Sequence, residues 1–108
     1  MKQQTIELGN VHARGYVIEL GPVNLVPART SRSTVGCGAV NVSALDKFNY
    51  PAARAAGRNG APIVTVDDLL RGTVAETNRS AATLGVTEGM SGEEAQKRMA
   101  GEGESAIV

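Results

Sequence analysis

The stretch Gln4-Thr5-Ile6-Glu7-Leu8-Gly9-Asn10, taken up again by Ala13-Arg14-Gly15-Tyr16-Val17-Ile18-Glu19-Leu20, decides the fold class. Polar and apolar side chains alternate over Gln4 to Leu8, with Ile6 and Leu8 on one face. That period of two belongs to a half-buried strand. Gly9-Asn10 is a turn pair. Ala13 to Leu20 alternates again, with Tyr16, Ile18 and Leu20 on one face and Glu19 on the other. The short spacing between the two runs predicts a hairpin.

Further along, Gly21-Pro22 breaks the chain and Val23 to Ala28 forms a third extended run. Pro27 has no N–H to give to a ladder, which places that end at a sheet edge. Thr30-Ser31-Arg32-Ser33 reads as a polar loop. Thr34 to Val40 reads as a fourth strand, made of small residues. Ala52 to Gly57 is a fifth, followed by the turn Arg58-Asn59-Gly60.

The second half carries helix-start signals. Ser43-Ala-Leu-Asp46, Thr65-Val-Asp-Asp68, Thr73-Val-Ala-Glu76 and Ser91-Gly-Glu-Glu94 each place a hydroxyl three residues before an acid. The hydroxyl caps the first free amides, and the acid sits in the positive first turn. Helices are predicted at Ala44–Phe48, Val66–Leu70, Val74–Leu84 and Gly92–Met99, the third stopped by Gly85. The expected class is α+β: one compact domain over residues 1–100, with a mainly antiparallel or mixed sheet from the N-terminal half. Short helices from the C-terminal half cover that sheet. Residues 101–108, rich in Gly and Glu, are expected to form a flexible acidic tail.

A chain of 108 residues and 11.2 kDa can bury one core. Only Tyr16, Phe48 and Tyr50 are aromatic, so Val, Leu, Ile and Ala must fill that core. Small cores are marginal, and association between copies is a common remedy, so a homo-oligomer is expected. Eleven basic and eleven acidic residues cancel, which excludes a nucleic-acid binder working through bulk charge. The balance is uneven along the chain. Residues 1–60 hold seven bases and three acids, a net of +4, and residues 61–108 hold four bases and eight acids, a net of −4. One Cys excludes an internal disulfide and a Cys-built zinc site. No long apolar run stands near Met1, so neither a signal peptide nor a membrane span is expected, and the expected compartment is the cytoplasm.

Phosphate-loop, dinucleotide, zinc-protease and serine-hydrolase motifs are absent from the sequence. No metal and no cofactor is expected. One segment stands apart: Ser33-Thr-Val-Gly36-Cys37-Gly38-Ala-Val-Asn41. A thiol between two glycines leaves backbone that other groups can approach, and free amides there can hold an anion or an oxyanion. A helix starting near Ser43 would aim its positive end at the thiol. Cys37 is thus the candidate catalytic residue. Arg29, Arg32, Gly36, Gly38 and Asn41 are the candidate ligand-binding residues. A thiolate needs a base, and His12 is the only histidine, with nothing in the sequence to bring it near. A buried Cys is also commonly a small core hydrophobe.

Four segments resemble the YunC-like family of small bacterial and archaeal proteins, known as domain of unknown function 1805. They are Cys37-Gly38-Ala39-Val40-Asn41-Val42, then Lys47-Phe48-Asn49-Tyr50-Pro51-Ala52-Ala53, then Thr65-Val66-Asp67-Asp68-Leu69-Leu70. The last is Leu84-Gly85-Val86 with Gly89-Met90-Ser91-Gly92-Glu93-Glu94-Ala95. Their order and spacing agree with the family's. The resemblance implies a compact α+β fold and no known activity. Asn41 stands where the family usually has Asp, and Arg58 to Val64 is longer than the family's link.

Three readings follow. The leading one is an oligomeric binding or accessory protein with a small-anion pocket near Cys37, taking a small anionic metabolite. The second is a structural subunit without a ligand. The third is a thiol-dependent enzyme or redox sensor using Cys37, with the Gly36 and Gly38 amides stabilising charge.

Overall fold

The hairpin forms as its alternation requires. In the computed structural model, which describes residues 1–100, β1 (Lys2–Leu8) and β2 (Val11–Glu19) pair antiparallel, from Lys2↔Val17 to Leu8↔Val11. Gly9 opens the two-residue turn at φ +67°, a conformation cheap only for glycine and typical of tight hairpins. Ile6, Leu8, Val11 and Ala13 face the core. The expected tail, residues 101–108, lies outside the described residues.

The third run divides in two. β3 (Asn24–Leu25) pairs with the far end of β2, and β4 (Pro27–Arg29) pairs with β2 further back. Between them Val26 is fully buried. Pro27 does not mark a sheet edge, because β4 lies between β2 and β5 (Thr34–Gly36). The β2 ladder stops at Ala28, so the missing N–H of Pro27 breaks no bond on that side. The loop from Thr30 to Ser33 exposes Ser31 and Arg32 but is anchored at both ends. Thr30 and Ser33 are buried, and their hydroxyls satisfy each other at 2.5 Å.

β5 is shorter than expected. It ends at Gly36, and Cys37 to Val40 fold into a turn closed by Val40 N–H to the Cys37 carbonyl at 3.1 Å. The Val40 side chain packs onto Gly36, where any Cβ would overlap it. Helix α1 (Val42–Asp46) follows, capped by Asn41 rather than Ser43: Asn41 Oδ1 accepts from Ala44 N at 3.0 Å. The chain returns in β6 (Ala52–Ala56), parallel to β5, as expected of a helical crossover.

The predicted helix Val74–Leu84 is two elements. Thr73–Thr77 is a strand, β7, antiparallel to β6, and only α3 (Arg79–Ala82) is helical. A bulge at the Arg54/Ala55 step lets Val74 face Ala55 and Glu76 face Arg54. Val74 is thereby buried, and Glu76 reaches an arginine instead of capping a helix. The sheet therefore draws β7 from the C-terminal half. Its path is β1-β2-β4-β5-β6-β7, with β3 beside β2.

Helix α2 (Val66–Arg71) carries the full reciprocal cap expected at Thr65 and Asp68. Helix α4 (Gly92–Ala100) starts at Ser91, whose Oγ accepts from Glu94 N at 3.0 Å. The two pack on each other, and α4 also touches β2, β5, β6 and β7. One aliphatic cluster lies between helices and sheet, including Val35, Ala53, Val66, Leu69, Val74, Ala95 and Met99.

Candidate functional site

The turn after β5, the exposed end of β6 and the loop before α2 enclose an open cavity of about 640 Å³. Cys37, Gly38 and Ala39 form one wall. Ala55, Ala56 and Gly57 form a second, and Pro62, Ile63 and Val64 a third. Leu20 and Val23, both more than half exposed, stand at its rim. Among the described residues, the single charged side chain in this lining is Arg54.

Arg54 occupies this place because of register. The parallel pairing of β5 with β6 sets Gly36 against Arg54, and the bulge in the next ladder sets Glu76 against it on the other side. Arg54 Nε donates to Glu76 Oε1 at 3.1 Å, and both side chains remain partly exposed. Gly57 is required where the wall turns into the loop, since a Cβ there would overlap the Ala61 carbonyl.

Cys37 is almost wholly buried at 6% exposure, yet it lines the cavity. Its Sγ accepts from Val26 N at 3.4 Å, and its own N–H donates to the Val26 carbonyl at 3.2 Å. The thiol thus also stitches β5 to the segment before β4. His12 is elsewhere, in the β1–β2 hairpin, 3.5 Å from Glu7.

Of the other residues singled out in the sequence, Gly38 lines the cavity with Cys37. Gly36 is packed against Val40, and Asn41 is spent on the α1 cap. The two arginines lie apart from the thiol. Arg29 donates to the Tyr16 hydroxyl at 3.1 Å. Arg32 grips the end of α4, with Nε to the Met99 carbonyl at 3.3 Å and Nη2 to the Ala100 carbonyl at 2.9 Å. A cation at a helix C-terminus satisfies orphan carbonyls. Arg32 also lines a different cavity, of about 730 Å³, with Asp46, Phe48 and Arg79. In that cavity the Asp46 carboxyl accepts from Ser80 N and Ser80 Oγ, and these bonds hold it below its usual range.

The cation that shares a cavity with Cys37 is therefore Arg54, and not Arg29 or Arg32. Its signal was Ala52-Ala-Arg-Ala-Ala56, a strand whose one long polar side chain is surrounded by alanines. Such a wall can hold an apolar body, with one guanidinium to receive an acidic group. Among the described residues, no group of three or more His, Cys, Asp or Glu is placed to hold a metal ion. Among the same residues, no helix is long and apolar enough to cross a membrane.

Comparison with known proteins bears on most of this cavity. Residues 36–99 match the family described as Domain of unknown function (DUF1805). The fold is similar to the crystal structure of a protein of unknown function, TA1206, from Thermoplasma acidophilum. The TM-score is 0.76 at 25% identity, with 86% of each chain covered. No curated protein matches the chain.

Proposed function

The chain belongs to the DUF1805 family, and on that footing we propose that it is a binding protein whose small ligand sits in the cavity beside Cys37. The ligand has an aliphatic body and one acidic group. The observation that carries this reading is the position of Arg54, among the described residues the one charged side chain in a lining otherwise built mainly from small and aliphatic residues. A volume of about 640 Å³ suits a small molecule. Aliphatic walls reward burial of a hydrocarbon body, and a guanidinium anchors a carboxylate through charge-assisted bonds. Glu76 already orients Arg54 through Nε. The anionic character expected of the ligand is retained, with Arg54 in place of Arg29 and Arg32.

A thermal-shift series of straight-chain carboxylates tests this directly. Ligand binding to the folded state raises the midpoint. The expected result is a rise that grows with chain length until the cavity is full and is lost in Arg54→Gln. The same ligands should slow alkylation of Cys37. No rise with any carboxylate, or a rise unchanged in Arg54→Gln, overturns the reading.

A further inference from the structure

The sheet has two unlike ends. At one end the outer side of β7 is closed by the segment before α4: Val74 N donates to the Met90 carbonyl at 2.8 Å, and Gly89 N donates to the Val74 carbonyl at 2.9 Å. Thr73 and Ser91 form a further bridge there. At the other end β1 pairs with β2 alone, and among the described residues nothing covers its outer side. A seven-residue edge without proline or bulge is a template for another strand. We infer that β1 is the contact through which two copies of this chain join, antiparallel across a two-fold axis at Thr5.

The register follows from the hairpin. Leu8 and Val11 flank a two-residue turn, so this pair exchanges backbone bonds, and every second pair does so after it. Lys2, Gln4, Ile6 and Leu8 therefore spend their backbone groups on β2. Gln3, Thr5 and Glu7 turn theirs outward. A two-fold that matches outward groups with outward groups, over the longest overlap, sets Thr5 opposite Thr5 and Gln3 opposite Glu7.

The side chains agree with that register. Gln3, Thr5 and Glu7 are all exposed on one face. The Gln3 amide of one copy meets the Glu7 carboxylate of the other as donor to acceptor, and the two Thr5 hydroxyls meet at the axis. On the other face Lys2 falls opposite Leu8 and Gln4 opposite Ile6. No like charges oppose each other, although the strand carries both a Lys and a Glu.

The closed end at β7 explains why such pairing stops at two. Among the described residues each copy offers one long open edge, and the same edge on both copies is consumed in an isologous contact. A sheet open at both ends could instead extend without limit.

Light scattering across a concentration range tests the contact, with Thr5→Lys and Thr5→Pro as variants. Thr5→Lys sets two ammonium groups face to face at the axis. Thr5→Pro removes an outward N–H while leaving the β2 ladder whole. The expected result is a mass of two chains for the native protein and one chain for both variants, with unchanged circular dichroism. Thr5→Cys should form a covalent dimer under mild oxidation, because the paired Cα atoms fall within disulfide range. A native mass of one chain at every concentration overturns the proposal. So does a dimer that survives both Thr5→Lys and Thr5→Pro.

Discussion

The side-chain amide of Asn78 donates to the Tyr50 carbonyl at 2.8 Å, and that bond is one of four. Nδ2 also donates to the Val42 carbonyl at 3.0 Å, while Oδ1 accepts from Ala81 N at 2.9 Å and Ala52 N at 3.2 Å. One buried amide thus caps α3, holds the first turn of α1 and fixes the entry to β6. Asn78→Ala would strand donors and acceptors in the interior, each costing roughly 1–3 kcal/mol. The expected loss is about 3 kcal/mol or more, measured by urea unfolding. Asn78→Asp should lose the two donated bonds and set a carboxylate against two carbonyls, so its deficit should shrink as the pH is lowered.

Gly15 in β2 lies beneath Val66 of α2. A methyl group at Gly15 would stand 2.6 Å from Val66 Cγ2 and 2.7 Å from Cγ1. Val66 is buried and stiff at χ1, so it cannot swing away. Gly15→Ala is expected to cost about 1–3 kcal/mol through overpacking. Val66→Ala alone should also destabilise. The double variant should cost less than the sum, and a double-mutant cycle by chemical denaturation measures the difference.

Gln96 is fully buried in α4, and among the described residues neither its Oε1 nor its Nε2 has a hydrogen-bond partner. An unpaired buried amide costs roughly 1–3 kcal/mol. Gln96→Met keeps the length and flexibility of the side chain and removes the polar atoms. It should raise the melting midpoint, and a fall would show that the amide is satisfied in solution.

The Asp68 carboxyl is held below its usual 3.8 first by the Val64 amide, then by the Thr65 amide and hydroxyl. Both amides donate to Oδ2, at 3.1 and 3.0 Å. A carboxyl lowered on folding stabilises the native state above its ordinary value, and that contribution is lost as the pH falls through the lowered one. Native protein should therefore lose stability as the pH falls below 3.8 towards the lowered value. Asp68→Asn should be less stable than native at neutral pH, and the two should converge in acid, as read from melting midpoints against pH.

Local signals in the sequence were legible, and long-range pairings were not. The β1–β2 hairpin and the Thr65–Asp68 cap each lie within a few residues, so alternation and spacing expose them. The strand at Thr73–Thr77 escaped because it carries a Thr-x-x-Glu helix signal. Its bulge also puts Val74 and Glu76, two residues apart, against neighbours on opposite faces of β6, so no alternation shows. The cavity divides in the same way. Cys37 and Gly38 stand out by composition, but the arginine that shares their cavity is chosen by a register between strands joined through α1. Proximity along the chain pointed to Arg29 and Arg32, which the fold sends to Tyr16 and to the end of α4.

The spatial order of the sheet path, β1-β2-β4-β5-β6-β7, repeats the order of the chain. Each strand on that path joins a neighbour already synthesised, so the sheet can grow outward from its first hairpin as the polypeptide leaves the ribosome. Helix α4 is the exception, because it needs β2, β5, β6, β7 and α2 in place at once. A nascent chain ending before Gly92 would therefore hold a sheet with much of its aliphatic face still wet, and the arrival of α4 would be the step that closes it.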